Sequence, residues 1–186
     1  MLVHGAESRQ LTPLDYVSTM ALLTISGNDT TRNTITGGLY VLSQNPAQFA
    51  RLRADRSLIK TAVSERLRWV TPVLHIRRTA KRGILFQGKQ IREGDRVVLW
   101  YVSGNRDESV YSAPKTFRID RNERRHLSFG SGIHFCVGAR LAEMQLQILW
   151  EELLNRFPLI EVLGPPLRLR SNFIHGIKSL SVRLCV

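Results

Sequence analysis

At 186 residues, with 43% hydrophobic and 23% charged residues, the chain has the size and composition of one globular domain, and a disordered or fibrous chain is excluded. The net charge of +12, carried by 22 Arg and 5 Lys, favours acidic surfaces, yet the arginines are scattered, and no helix-turn-helix, zinc-finger or RNA-binding aromatic signature supports a nucleic-acid partner. Two cysteines, Cys136 and Cys185, build no disulfide framework and point to a reducing, cytoplasmic setting; residues 1–7 lack a leader pattern, and the apolar run 20–25 is too short to span a bilayer.

Thr12-Pro13-Leu14-Asp15 is a helix start, with Thr as N-cap, Pro at the first helical position and an acid at N3. Apolar residues continue past Ile35 toward Leu42 and stop before Asn45-Pro46, which predicts one helix of about 32 residues, roughly 48 Å long. A shorter helix is predicted over residues 47–53, and a third over 57–69, stopped by Pro72. Residues 73–79, 84–86 and 96–100 read as short strands, with Gly83, Gly88 and Gly94 at turns. Residues 102–128 are polar and rich in turn formers and Arg, so an irregular stretch is expected. A strong helix is predicted over 139–157. Ala142, Leu146, Leu149, Leu153 and Phe157 share one face, and Leu141, Met144 and Ile148 widen it, which predicts burial on more than one side. The tail alternates weakly, with Leu167, Leu169, Leu180, Val182 and Leu184 as edge-strand positions. No repeat or linker divides the chain. The expected fold class is mainly α with small β-sheets.

The segment before the last helix reads Phe129-Gly130-Ser131-Gly132-Ile133-His134-Phe135-Cys136-Val137-Gly138. Gly130 and Gly132 allow backbone angles closed to other residues and a close approach to a flat ligand. Cys136 falls just ahead of a helix N-terminus, whose positive end favours a thiolate. A thiolate on a glycine-shaped platform suits axial ligation of haem iron, a ligand that promotes O–O cleavage. The plainer reading is a buried cysteine acting as a small hydrophobe. A zinc site lacks a second Cys/His cluster.

Ser26-Gly27-Asn28-Asp29-Thr30-Thr31 lies in the middle of the first predicted helix. Glycine there costs up to about 1 kcal/mol, and a Thr30 hydroxyl bonded back to the Ser26 carbonyl is expected to bend or open the helix. An acid beside a hydroxyl, Asp29 next to Thr30, makes a proton relay; the alternative is a simple kink or cap. Glu65 and Arg68 share a helix face, which by itself is a surface pair worth about 0.2–0.5 kcal/mol.

Phe129, Gly130, Gly132, His134, Cys136 and Gly138 match the haem-binding signature of the cytochrome P-450 monooxygenases, and the chain resembles the C-terminal part of that family. Residues 26–31 resemble its oxygen-activation motif, with Ser26 in place of the usual Ala or Gly. Residues 62–69 resemble its Glu-x-x-Arg helix. The resemblance implies the C-terminal portion of the cytochrome P-450 fold: long central helix, Glu-x-x-Arg helix, meander, Cys-ligand loop and the helix after it. Residues 1–186 would then be a single partial domain, with the family's N-terminal half absent.

The resemblance further implies haem b (iron protoporphyrin IX), with Cys136 as the iron ligand. His134 and Arg78 would be propionate contacts, and Phe129, Gly130 and Gly138 would shape the pocket. Asp29 and Thr30 would be the proton-delivery pair, and Glu65, Arg68 and Arg121 a structural network. Electrons would come from NAD(P)H through a reductase and an acidic ferredoxin docking near Cys136, with O2 as co-substrate. Residues 27–33, 100–108 and 140–146 look like the bacterial branch that hydroxylates the terminal carbon of medium-chain alkanes and fatty acids; sterol-oxidising branches are similar around 27–33. Leu22, Leu23, Ser26, Val73, Leu74 and Ile76 are the expected substrate contacts, joined by the tip near Phe173, Ile174 and His175. Two further readings stand beside this one: a haem-binding fragment without turnover, and a basic nucleic-acid-binding module.

Overall fold

The computed structural model describes residues 5–6, 8–123 and 125–185. Its frame is three helices that cross closely: α1 (Pro13–Ser43), α3 (Ile59–Val70) and α5 (Ala139–Arg156), with α2 (Pro46–Ala54) lying between the first two in sequence. Thr12 caps α1 as its sequence predicts, its hydroxyl oxygen accepting from the Asp15 N–H at 3.2 Å. The helix runs unbroken past Gly27, so the weak formers at its middle do not end it. It stops where Pro46 cannot extend it, and the Asn45 side chain donates to the freed Val41 carbonyl at 2.8 Å. α3 is the most buried element: eight of its twelve residues are enclosed, and it ends at Thr71 in the left-handed region (φ 43°) followed by Pro72.

Close crossing of α1 and α3 needs glycine. A methyl group at Gly37 would lie 2.9 Å from Val70 Cγ2, and one at Gly38 would lie 2.8 Å from Arg66 Cδ. The core gathers there: Val41, Leu42, Leu52, Ala62, Val63, Leu67, Phe117, Ile119, Leu146, Trp150 and Leu154 form one cluster. By contrast the N-terminal half of α1 stands clear of it, with Leu14, Val17, Leu22 and Ile25 all more than 60% exposed.

All strands pair antiparallel in twos. β1 (His75–Thr79) pairs with β4 (Arg96–Trp100), and β2 (Ile84–Phe86) with β3 (Lys89–Ile91). Gln87 and Gly88 both take positive φ, which is the two-residue hairpin turn whose twist suits paired strands. β5 (Leu159–Val162) pairs with β8 (Val182–Cys185), and β6 (Leu167–Arg168) with β7 (Ile177–Ser179). β3 is absent from the sequence reading because Lys-Gln-Ile has no alternation to see. Val73 and Leu74 fall outside β1; Val73 makes a single bridge to Ile174 instead. A short α4 (Tyr101–Gly104) also escapes that reading, and Leu169 and Leu180 lie outside the strands.

The expected broad burial of α5 is corrected. Its buried stripe is Ala139, Leu146, Trp150 and Leu154, while Leu141, Met144 and Ile148 are about half exposed. The core takes the face carrying Trp150, and the other stripe turns to solvent. The long stretch between α4 and α5 is irregular, as expected, and is pinned by buried Asn105, Tyr111, Phe117, Ile119 and Arg121. Among the described residues no helix is long and apolar enough to cross a membrane.

Candidate haem-thiolate site

The decapeptide folds into an anchored loop. Gly130 and Gly132 have φ of +72° and +70°, a region that penalises any side chain. The Gly130 N–H donates to Leu127 O at 2.8 Å, the Cys136 N–H to Phe129 O at 2.9 Å, and the Ala139 N–H to Cys136 O at 3.2 Å. Phe129 packs on the core and meets Phe135 edge-on at 6.1 Å, so the loop's base is fixed. Its crest, residues 131–137, is exposed throughout, and it holds Ile133 at 98%, Val137 at 89% and Phe135 at 55% exposure. Cys136 is a free thiol on this apolar crest, and Gly138 sits where a methyl group would come within 3.9 Å of its Sγ.

That donor set fits haem. A single exposed sulfur flanked by apolar side chains, with the neighbouring side chain deleted at Gly138, lets a flat macrocycle approach. Among the described residues no group of three or more His, Cys, Asp and Glu could hold a bare metal ion. His134 ends the 3-10 turn Gly132–His134 and is exposed, with no side-chain partner among the described residues. Arg78, half-buried on β1, spends one donor on the Arg77 carbonyl at 3.1 Å. Both therefore keep donors for anionic groups.

Behind the loop lies a buried ionic network. Glu65 accepts from Arg68 Nε at 2.6 Å and Arg68 Nη2 at 2.7 Å, and from Arg121 Nε at 3.0 Å. Its Oε1 also takes the Arg118 N–H at 3.0 Å. The remaining guanidinium donors are satisfied by carbonyls: Arg68 reaches Asn105 O and Pro114 O, and Arg121 reaches Ser112, Ala113 and Thr116. All three charged side chains are at most 2% exposed. Such a pair is nothing like the surface interaction that spacing alone implies. Removing one partner strands a charge in a dry interior.

On α1 the Thr30 hydroxyl donates to the Ser26 carbonyl at 2.7 Å, the back-bond expected from the sequence, without interrupting the helix. Asp29 is held by Arg32 one turn on, Oδ1 to Nη2 at 2.6 Å. The Ser26 hydroxyl turns inward to Leu23 O at 3.4 Å. Among the described residues no hydrogen bond joins Asp29 or Thr30 to the cysteine loop. Leu22, Leu23 and Ser26 lie on the half of α1 that stands clear of the core. Val73 and Leu74 do meet the tail: Leu74 N donates to Phe173 O at 2.9 Å beside the Val73–Ile174 bridge, and Ile76 follows half-buried on β1.

Three residues that matter were invisible to pattern reading, and a fourth, His175, was expected at the substrate tip and serves elsewhere. Asn105, wholly buried, donates to Thr71 Oγ1 (2.9 Å) and Ser128 Oγ (3.0 Å) and accepts the Leu127 N–H (2.7 Å), tying the end of α3 to the base of the cysteine loop. His126 sits beside Phe129, and burial pushes its pKa down to about 4. Arg66 is enclosed in the core with its guanidinium carbon 3.8 Å from the Trp150 ring centroid. His175 turns away from the tail tip toward α3. None carries a spacing signal, because each acts through partners far along the chain.

Part of the basic charge is directed onto the protein's own carbonyls. Arg53 reaches Phe157 O and Pro158 O, Arg56 reaches Leu154 O, and Arg106 reaches Trp69 O, alongside Arg68 and Arg121. Arginine here caps helix ends and loops, which leaves fewer cations for a nucleic-acid groove.

A sequence profile described as Cytochrome P450 matches residues 2–184. Linalool 8-monooxygenase of Pseudomonas putida is 47% identical over 170 residues, 91% of this chain and 42% of that protein. Methyl-branched lipid omega-hydroxylase of Mycobacterium bovis is 43% identical over 178 residues, 95% of this chain and 42% of that protein. The structure of Cytochrome P450-153 from Novosphingobium aromaticivorans superposes with a TM-score of 0.93 at 47% identity, covering 98% of this chain and 47% of its own. The chain thus spans less than half the length of the relatives it matches.

Proposed function

The chain belongs to the cytochrome P450 family, and we propose that it supplies the haem-thiolate centre of a monooxygenase that inserts one oxygen atom of O2 into an unactivated C–H bond of an apolar substrate. The observation that carries this reading is the exposed Cys136 on a glycine-shaped apolar crest, fixed at its base by Phe129. Proteins of this family bind haem b. In this chain Cys136 would hold the iron, His134 and Arg78 would meet the propionates, and Phe129, Gly130 and Gly138 would shape the face. Bound there, haem with a thiolate ligand supplies oxygen activation, since electron donation from sulfur favours O–O cleavage.

The protein's own part is positioning and proton handling. The Glu65–Arg68–Arg121 network and Asn105 hold the loop's base, so the thiol keeps its height and angle. Thr30 gives its hydroxyl proton to Ser26 O, which leaves its oxygen lone pairs free to accept a proton donor. Asp29 is the proposed proton relay beside it, and Arg32 holds its carboxylate in this structure. Val73, Leu74 and Ile76, with Phe173 and Ile174, make one apolar wall, and Leu22, Leu23 and Ser26 contribute from α1.

An apolar chain oxidised at its terminal carbon, a medium-chain alkane or fatty acid, is the substrate class we favour. The likeness to a lipid omega-hydroxylase and to Cytochrome P450-153 supports it. The likeness to a linalool 8-monooxygenase makes a branched terpene alcohol the competing substrate. An acidic ferredoxin with an NAD(P)H-dependent reductase is the proposed electron source. The test is the reduced, CO-bound spectrum of haem-loaded protein: a strongly red-shifted Soret band is expected, and C136S abolishes it. Equal spectra for the two proteins refute the ligand assignment. Product analysis with dodecanoic acid against linalool then decides the substrate.

A further inference from the structure

We propose that His175 is a positioning residue, whose ring staples the apolar tip carrying Phe173 and Ile174 to the C-terminal end of α3 and so sets the substrate wall. This rests on the reading of that wall as substrate-facing.

The geometry leaves one arrangement for the ring. His175 Nδ1 lies 2.7 Å from Val70 O, and a carbonyl only accepts, so Nδ1 carries the proton. Nε2 lies 2.8 Å from Arg168 Nη1, and a guanidinium only donates, so Nε2 is the bare acceptor. The imidazole is therefore neutral and bound on both sides. Val70 is the last residue of α3, and its carbonyl has no helical partner. One side chain thus satisfies a helix end and holds a loop 105 residues away in sequence.

The backbone follows the side chain. His175 N donates to Pro72 O at 2.9 Å, Leu74 N to Phe173 O at 2.9 Å, and Ile177 N to the buried Asn33 side chain at 2.9 Å. Residues 72–74 and 173–177 therefore move as one body, and the imidazole is the side-chain staple in it. A cleft of about 240 Å³ lined by Tyr40, Trp69, Arg168 and His175 lies beside the ring.

Protonation breaks one side of the staple. A charged ring keeps its Nδ1–H bond to Val70 O but must also donate from Nε2, where Arg168 already donates, so the ring is pushed away from Arg168; the two charged groups that act on it, Arg168 and Arg106, are both cationic. Burial holds its pKa below the ordinary value; the Val70 carbonyl opposes it as the next largest effect, and Arg168 and Arg106 add smaller lowering contributions. Tyr40 from α1 lines the same cleft and brings no charge at neutral pH.

The experiment pairs two readouts. In haem-loaded protein, the spectral spin-state shift on adding dodecanoic acid or linalool gives a dissociation constant. H175A is expected to raise it about fivefold, the loss of one hydrogen bond, with an unchanged reduced-CO spectrum. H175N, whose amide can still donate to Val70 O, restores wild-type affinity at neutral pH and removes the acid limb of the binding profile. R168A, which takes away the donor that opposes Nε2–H, is expected to flatten that limb as well. Independently of haem, labelled-histidine NMR is expected to show the Nδ1–H tautomer, with a titration that shifts upward in R168A. An Nε2–H tautomer, a titration unmoved by R168A, or wild-type affinity in H175A overturns the proposal. If wild-type protein gives the red-shifted CO band but neither probe perturbs its spectrum, the wall assignment and the positioning role fall together. If the CO band itself is missing, the family function fails and the NMR result still decides the staple.

Discussion

Arg66 is a core residue with no polar partner, and replacing it should make the protein more stable. Its side chain is 1% exposed, and none of its three guanidinium nitrogens has a hydrogen-bond partner among the described residues. Burial lowers its pKa well below the ordinary arginine value, to about 9. At 1.36 kcal/mol per unit, that depression corresponds to about 5 kcal/mol lost at neutral pH by enclosing the cation. The Trp150 ring, 3.8 Å away, returns roughly 2 kcal/mol as a desolvated cation–π contact. The stem packs over Gly38, which methionine can imitate with a flexible chain of similar reach. R66M should therefore gain about 3 kcal/mol, or ~6–12 °C in Tm for a chain of this size. R66K keeps the charge and should not gain. The sign of the pH effect follows from the depressed value. Below pH 9 both folded and unfolded states carry the proton and the penalty is complete; above about 9, until the ordinary arginine range is reached, the unfolded state alone keeps it, so wild-type stability rises. The advantage of R66M should shrink across that window. Urea unfolding followed by circular dichroism at pH 7 and pH 10 measures both. A loss of more than about 1 kcal/mol in R66M, or a gap that does not narrow with pH, would show that the guanidinium is stabilising as it stands.

Three further outcomes are expected. E65Q strands Arg68 and Arg121 in a buried site and should cost about 3–5 kcal/mol, read as a fall in the urea midpoint with loss of haem uptake; an unchanged midpoint would contradict the network's role. H126F should remove an acid sensitivity. His126 has its pKa lowered to about 4, so between pH 6.5 and 4 only the unfolded state gains the proton, and wild type should lose up to about 3 kcal/mol there while H126F loses less. T30A should keep the CO spectrum but yield several-fold less product per NAD(P)H, with peroxide made instead; full coupling in T30A would remove Thr30 from proton delivery.

The local signals read well because their physics is local. Thr12-Pro13 starts α1, Asn45-Pro46 stops it, and the back-bond from Thr30 to Ser26 spans one turn. Gly130 and Gly132 take positive φ because the cysteine loop needs backbone that other residues penalise. Haem chemistry was legible from one decapeptide for the same reason: ligand, glycines and apolar crest are contiguous.

Tertiary structure decided what depends on partners. Spacing places Glu65 and Arg68 on one face and the family resemblance brings in Arg121, but only folding removes the three from water and makes a weak surface pair a buried triad. Periodicity gave α5 one broad apolar face that did not include Trp150; packing against α1 and α3 buried Leu146, Trp150 and Leu154 and left Leu141, Met144 and Ile148 about half exposed. Arg66 looks like an ordinary surface residue in a string of letters, and His175 like a contact at the substrate tip. The burial of Arg66 against Trp150 and the bond of His175 to Val70 come from segments up to 105 residues distant, and no short-range rule can carry that information.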